Sequence, residues 1–357
     1  MNRPTLSVII PTINEADHLP ELLSDIASQQ EITIETIIAD GGSSDATLAV
    51  AETGNARLVK TERGRGRQMN TAACQAGGEY LLFMHADSRM DNIYLLYEAV
   101  EALHDEIAEI DRNEVAGHFR LRFIRSNSQN TSAYRYAEGK SAFNRPNTTN
   151  GDQGLLLTKE FFHRLGGFDE SLPFLEDQRI AEKIHSCGKM ITLPGYLWTS
   201  ARRFEAEGFH RRYILMSMMM GLSRAGVDSF FVRAPEVYQL QLDTGKLFLS
   251  PFFGIIRQMM CSEWGVFGTI RIFYNLGSYI RENSWQMFYF FDICCRPLIG
   301  RGRFPFLRFH DQFFAPLTNF RTFNAMAGIL CFIWFMGILA PFFWLYDYQE
   351  MKLCRSR

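Results

Sequence analysis

The sequence predicts an α/β domain built on a mostly parallel, doubly wound sheet, followed by a helical, membrane-associated C-terminal region. Three observations predict it. Short unbroken apolar runs, of the kind that suits strands buried on both faces, recur early: Leu6 to Ile10, Ile34 to Ala39, Ala56 to Thr61 and Tyr80 to Met84. Stretches with helical periodicity separate them, which is the alternation of βαβ units. From about residue 245 onward the composition shifts to Phe-, Met- and Trp-rich clusters such as FFGII, MFYFF and FFWLY.

At 357 residues, 47% of them hydrophobic, the chain can bury a sizeable core in one large or two ordinary domains. A net charge of −2 argues against nucleic acid as a partner. Seven cysteines without paired CxxC spacing suit reduced thiols in the cytosol. The N-terminal apolar run is too short for a signal peptide.

Taken in order, Leu6 to Ile10 is a strand, and Asn14 is placed to cap a helix carrying Leu19, Leu22, Leu23 and Ile26 on one face. Ile34 to Ala39 is the second strand, ending at Asp40. Gly41 to Asp45 is a tight turn, with Ser44 as the cap of a short helix. Ala56 to Thr61 is the third strand. Arg63 to Arg67 reads as a loop before a helix from Gln68 to Gln75, stopped by Gly77-Gly78. Tyr80 to Met84 then runs into His85-Ala86-Asp87, which puts a histidine and a carboxylate at the strand mouth, where open α/β sheets bind ligands. Asp87 is there either to hold a divalent metal against a diphosphate or, with Ser88, to cap the next helix. Val115 to Phe123 alternates like an antiparallel strand. Thr131 to Phe143 suits an amphipathic helix, Arg145 to Gly151 a loop, and Leu155 to Leu157 a strand. Helices are expected over Lys159 to Leu165 and Phe174 to Cys187, and a short strand over Met190 to Leu193.

Residues 322–346 contain no charged side chain, roughly the 25 residues needed to cross a bilayer. The organisation expected is a catalytic domain over 1–225, a helical interfacial or packing region over 226–320, a transmembrane helix over 321–347 and a tail over 348–357. Arg296, Arg301, Arg303 and Arg308 precede the apolar segment and suit anionic headgroups on the cytosolic side; Lys352, Arg355 and Arg357 follow it and weaken that orientation signal.

Four carboxylates, Glu15, Asp40, Asp87 and Asp177, fall at strand ends or helix starts of one sheet. Each has a plain structural reading as a first-turn acid or turn former. With their surroundings, SVIIPTINEADHLPELL, IIADGGSSDAT, RQMNTAACQAGGEYLLFMHADS and GDQGLLLTKEFFHRLGGFDESLPFLEDQRIAEKI, they resemble the inverting family 2 glycosyltransferases of GT-A fold across residues 5–205. The wording GRGRQMN, HAD, GDQG, LED and TSARRFEAEG is similar to the subgroup named for its association with radical-SAM and selenium-domain proteins.

That resemblance implies a nucleotide-diphospho-sugar donor, with base and ribose near Pro11, Thr12, Asn14, Glu15 and Asp40. It implies Mn²⁺ or Mg²⁺ held by Asp87 and by His85, which stands where the usual first Asp of a DxD motif would be. Arg67, and less so Arg65, would meet the phosphates. Asp177, beside Glu176, would be the base. Asp152 and Gln153 would shape the acceptor or phosphate pocket, Arg202 and Arg203 would close over the diphosphate, and Trp198 would stack on the acceptor. The apolar segment adds a membrane, a lipid-linked acceptor and, in a bacterium, the inner membrane with the catalytic domain facing the cytosol. A non-catalytic sugar-nucleotide-binding or membrane scaffold protein on the same fold is the alternative. A nucleotidyltransferase is disfavoured, because no Gly-rich phosphate loop follows the first strand.

Overall fold

The computed structural model describes residues 5–172, 174–239, 246–300 and 302–355. Arg301 and Arg357 of the basic stretches lie outside them. The chain divides into two compact units, one of residues 1–128 and 137–201, the other of residues 129–136 and 202–357.

The first unit carries one eight-stranded sheet in the order β3-β2-β1-β4-β7-β6-β8-β5. Its elements are β1 (Leu6–Thr12), α1 (Leu19–Ala27), β2 (Ile34–Asp40), α2 (Thr47–Thr53), β3 (Arg57–Lys60), α3 (Arg65–Gln75), β4 (Tyr80–Phe83), β5 (Ser88–Arg89), α4 (Leu95–Ile110), β6 (Val115–Ile124), the start-shared helix α5 (Thr131–Lys140), β7 (Leu155–Thr158), α6 (Lys159–Arg164), α7 (Glu176–Cys187) and β8 (Lys189–Ser200). Strands β3, β2, β1 and β4 run parallel. Beyond them the sheet is mixed: β7 is antiparallel to both β4 and β6, and β8 is parallel to β6.

The apolar runs are buried on both faces because successive side chains of a strand point to opposite sides. Leu6, Val8 and Ile10 enter one core with Leu19, Leu22, Leu23 and Ile26 of α1, while Ile9, Leu81 and Phe83 enter a second with Ala72, Phe161 and Ile180. Only four residues join β4 to β5, yet β5 pairs at the far edge of the sheet, Ser88 with Thr199 and Arg89 with Trp198. A link that short reaches at most about 17 Å. The sheet must therefore curl until its edge returns to the end of β4.

Several local expectations are corrected. Asn14 caps no helix: it sits in the left-handed region at φ 55°, and α1 begins five residues later. Asp45, not Ser44, holds the start of α2, accepting from the Thr47 amide at 3.0 Å. Helix α3 starts at Arg65, so the Arg-Gly-Arg run is its first turn rather than a loop. Asp87 and Ser88 cap no helix either, since β5 intervenes before α4. Strand β8 extends to Ser200 because it pairs with β6 through Ile124, a partnership invisible in its own Pro194-Gly195 sequence.

The second unit is helical. Its elements are α8 (Arg202–Glu207), α9 (Phe209–Arg224), α10 (Asp228–Gln239), α11 (Ser250–Met259), α12 (Gly265–Glu282), α13 (Trp285–Cys294), α14 (Arg296–Ile299), α15 (Pro305–Phe309), α16 (Ala315–Thr318), α17 (Arg321–Phe332) and α18 (Ala340–Arg355). Short π-helical turns join α11 to α12, α15 to α16, and α17 to α18. Arg321–Glu350 is one 30-residue helix, long and apolar enough to cross a membrane by length and composition, and mostly exposed.

Candidate active site

Two loops close the carboxyl ends of β1 and β2. Asp40 is almost fully buried there, and its carboxylate is already surrounded by donors. One oxygen accepts from the Gly42 and Ser43 amides at 2.9 and 3.0 Å; the other accepts from the Ser43 hydroxyl at 2.5 Å and from Thr12 at 3.3 Å. The β1 loop is tied to the same turn. The Asn14 amide donates to Ser43 Oγ at 2.9 Å, and Asn14 Oδ1 accepts from the Ser44 amide at 2.8 Å. The Glu15 amide donates to Thr47 Oγ1 at 2.9 Å. Asp45 accepts from Ala16 as well as Thr47, and the Thr47 hydroxyl bond is the main cause that holds its carboxyl below the ordinary value. Buried Gln68, on α3, donates to the carbonyls of Thr12 and Ala39 at 2.9 and 2.7 Å. Pro11, Thr12, Asn14, Glu15 and Asp40 are thus brought together.

The second cluster lies beyond β4. His85 follows that strand, and its Nδ1 meets Asp152 Oδ1 at 2.7 Å. Asp152 belongs to a single 3₁₀ turn, Gly151–Gln153, stabilised by a reciprocal cap between Asn150 and Gln153. The Gly151 amide donates to Asp177 Oδ2 at 2.6 Å. A Cβ on Gly151 would lie 2.7 Å from His85 Nε2 and 3.4 Å from Asp177 Oδ2, so glycine is what lets ring, turn and carboxylate approach. Leu175, in the left-handed region at φ 67°, precedes Glu176 and Asp177 and sets the direction from which α7 presents them. Glu176 is buried and pairs with Arg65 at 3.1 Å.

Burial first, and then the neighbouring Glu176 charge, push the Asp177 carboxyl up to about 6; Arg65, the Gly151 amide and His85 act the other way. One cleft is lined by Arg65, His85, Thr149, Gly151, Glu176 and Asp177. Thr149 Oγ1 is buried with no hydrogen-bond partner among the described residues, a condition that native sites reserve for few groups.

The remaining expected residues are placed differently. Arg67 turns away, to Glu62 and to Glu170 at 3.2 Å, and Arg65 is the arginine in the cleft. Gln153 is completely buried; its amide nitrogen goes to His118 and the Ser141 carbonyl, both at 2.9 Å, so it supports the turn. Trp198 lies on β8 with Arg122 5.4 Å from its ring centroid, and its Nε1 is buried without a partner among the described residues. Arg202 and Arg203 open α8 in the second unit. Gly151 and Thr149 escaped the sequence reading; the GDQG turn was visible, but neither a backbone N–H nor an orphaned hydroxyl leaves a mark in a sequence.

Asp87 is half-buried between β4 and β5. Among the described residues no three His, Cys, Asp or Glu side chains converge as a metal cage. His85 has one nitrogen committed to Asp152 and the other facing Gly151. Asp87 is thus a single carboxylate ligand at most, and a cation there would need phosphate oxygens of a ligand to complete its coordination.

Residues 7–165 match the sequence profile described as Glycosyl transferase family 2. Over 101 residues the chain is 38% identical to a PGL/p-HBAD biosynthesis glycosyltransferase of Mycobacterium bovis, covering 26% of this chain and 38% of that protein. Over 116 residues it is 31% identical to the poly(ribitol-phosphate) beta-N-acetylglucosaminyltransferase TarS of Staphylococcus aureus, covering 30% of this chain and 19% of that one. The chain thus spans less than two fifths of the length of the curated relatives it matches. Among solved structures, the mannosyltransferase PcManGT from Pyrobaculum calidifontis in complex with GDP-Man and Mn²⁺ aligns at 19% identity and a TM-score of 0.46, covering 94% of this chain and 88% of that one.

Proposed function

We propose, from the premise that residues 7–165 are a family 2 glycosyltransferase domain, that this chain transfers a sugar from a nucleotide-diphospho-sugar to an acceptor hydroxyl, with inversion, at a membrane. The observation that carries the reading is Asp177: a carboxylate with its proton affinity raised to about 6, anchored by the Gly151 amide and facing a cleft. A base is most effective when its pKa lies near the working pH. Asp177 would take the acceptor proton as that oxygen attacks the anomeric carbon from the side opposite the leaving diphosphate. One displacement inverts the centre.

The partnerless Thr149 hydroxyl supplies a hydrogen bond for the acceptor, and the His85–Asp152 pair fixes the wall beside it. Arg65, held by Glu176, is the cation nearest the leaving phosphates in this reading. The β1 and β2 loops, with Pro11 to Glu15 and Asp40, receive base and ribose. A divalent cation at Asp87 would neutralise charge on the departing diphosphate. The 30-residue apolar helix supports a membrane location, the cytosolic face of the inner membrane in a bacterium, and a lipid-linked acceptor.

The test is thermal unfolding of the full chain against a panel of nucleotide sugars with and without Mn²⁺, followed by an assay for released nucleoside diphosphate. A donor at 100 times its Kd raises stability by about 2.7 kcal/mol. Stabilisation without release or transfer under any condition would leave a binding protein; no stabilisation by any nucleoside-diphospho-sugar would remove the donor reading altogether.

A further inference from the structure

The long apolar helix is not alone. Helix α12 runs antiparallel to its first half, and the start of α11 meets its later turns. At one end Arg281 Nε donates to Asn324 Oδ1 at 2.6 Å. A methyl group on Gly277 would overlap the Asn324 carbonyl and the Gly328 backbone, and one on Gly328 would overlap the Phe273 carbonyl, so the two backbones touch there. Farther along, Phe273 meets Phe332 with ring centroids 5.0 Å apart, and Phe253 meets Phe335 and Phe343 at 4.7 and 6.2 Å. At the other end the Ser250 amide donates to Asp347 at 2.8 Å.

Arg257 and Arg271, both exposed, stand within about a turn of Phe253 and Phe273, the residues that touch the apolar helix between Phe332 and Phe343. Glu263 is ion-paired with Arg233 of α10, which carries the charges onto a further helix. Exposed charges at the depth of a bilayer centre are costly and rare. The polar ends give a second, independent indication. Asp347 and Glu350 both bind Arg211 at 2.7 Å, in the first turn of α9, so the C-terminal end of the apolar helix lies beside residue 211. The other end is preceded by Arg296, Arg303 and Arg308, which the positive-inside tendency keeps on the cytosolic side. Both ends therefore belong to one side.

We propose that the 321–350 helix lies in the plane of the membrane rather than crossing it. Its partner helices α11 and α12 keep Arg257, Glu263 and Arg271 toward water, and its exposed apolar side chains, among them Ile329, Leu330, Trp334, Ile338, Phe342 and Trp344, sit among the acyl chains of one leaflet. Helices α15 and α16, just before it in the chain, are amphipathic: Phe306, Phe309, Phe313, Leu317 and Phe320 recur at helical spacing and are all exposed, while Leu307, His310 and Thr318 of the same run are buried. The occupant is a bilayer with anionic lipid, matched by Arg303 and Arg308 beside the stripe. This inference rests on the membrane location proposed above and is independent of the sugar-transfer chemistry.

The experiment uses the full chain in a bacterial host, with exposed native Cys74 kept as the marker of the first unit and the other cysteines changed to serine. Leu298→Cys and Tyr348→Cys, both at exposed positions, are labelled separately with a membrane-impermeant maleimide in spheroplasts and in inverted vesicles. An in-plane helix leaves all three sites unlabelled in spheroplasts and labelled in inverted vesicles. Tyr348→Cys on the side opposite Cys74 would mean a single crossing, and Leu298→Cys alone on the opposite side would mean a crossing hairpin; either overturns the proposal while membrane location stands. Alkaline phosphatase fused after Arg357 of the otherwise unaltered chain is expected to be inactive, and an active fusion overturns the proposal without relying on any substitution. Failure of the purified chain to float with phosphatidylcholine–phosphatidylglycerol vesicles removes the membrane location itself, and this inference with it.

Discussion

The two halves of the site treat their carboxylates in opposite ways. Behind β1 and β2, Asp40 and Asp45 are enclosed by amides and hydroxyls, and Asn14, Ser43 and Thr47 lace the two loops together. The donors to Asp45 favour its charged form. Across the sheet, Asp177 has one strong amide donor but sits by burial and beside Glu176, so its charge is disfavoured. The first half is a rigid cradle formed before any ligand arrives. The second holds a carboxylate ready to accept a proton. Binding and chemistry can thus be separated by substitution, and each half can be broken without the other.

The largest effect is expected from Asp177→Asn: kcat falls by roughly 10²–10⁴ while nucleotide affinity, read by titration calorimetry, stays near that of the wild type. The same variant should be more stable at pH 8. A carboxyl whose folded pKa is raised favours the native state most when protonated, and that advantage fades as pH climbs from the unfolded value near 4 through about 6. Removing the charge should therefore add up to about 3 kcal/mol at pH 8 and almost nothing at pH 4. Wild-type turnover, or a loss of stability at pH 8, would contradict this account of Asp177.

Gly151→Ala comes next. The added methyl meets His85 Nε2 and displaces the turn that holds Asp177, so kcat should fall about 10²-fold with nucleotide affinity retained. Asp40→Asn tests the opposite half. Losing charge-assisted bonds to two amides and a hydroxyl should cost about 1–3 kcal/mol in denaturant unfolding and weaken the nucleotide. If it lowered kcat alone, the division of labour between the halves would be wrong. The smallest effect is a shift in a pH profile. In the wild type the acid limb of kcat/KM should fall near pH 6; in Glu176→Gln it should move lower, yet stay above an ordinary carboxylate, because burial is the larger cause and remains.

Much of the parallel wing was legible in the sequence. The runs at Leu6, Ile34 and Tyr80 could hide apolar side chains on both faces only inside a covered sheet, and the stripe Leu19, Leu22, Leu23, Ile26 could face only one core. Chemistry-bearing residues at the ends of those strands followed from the fold class. The corrections share one cause. The caps expected at Asn14 and Ser44 and the loop expected over Arg63 to Arg67 follow from immediate neighbours, whereas the structure depends on partners far along the chain: Ser43 for Asn14, Asn14 for Ser44, Glu176 for Arg65. The length of β8 likewise depends on β6.

By itself, then, the sequence determined the α/β wing, the strand mouths at which Asp40 and Asp87 stand, the helix start that carries Asp177, and the apolar character of residues 322–346, because hydrophobic periodicity and turn chemistry act over a few residues. Only the tertiary structure decided which arginine enters the cleft, that Gly151 lends its amide to Asp177, and that α11 and α12 meet the apolar helix. Those outcomes depend on desolvation and on distances between segments remote in the chain, and both exist only once the segments have packed.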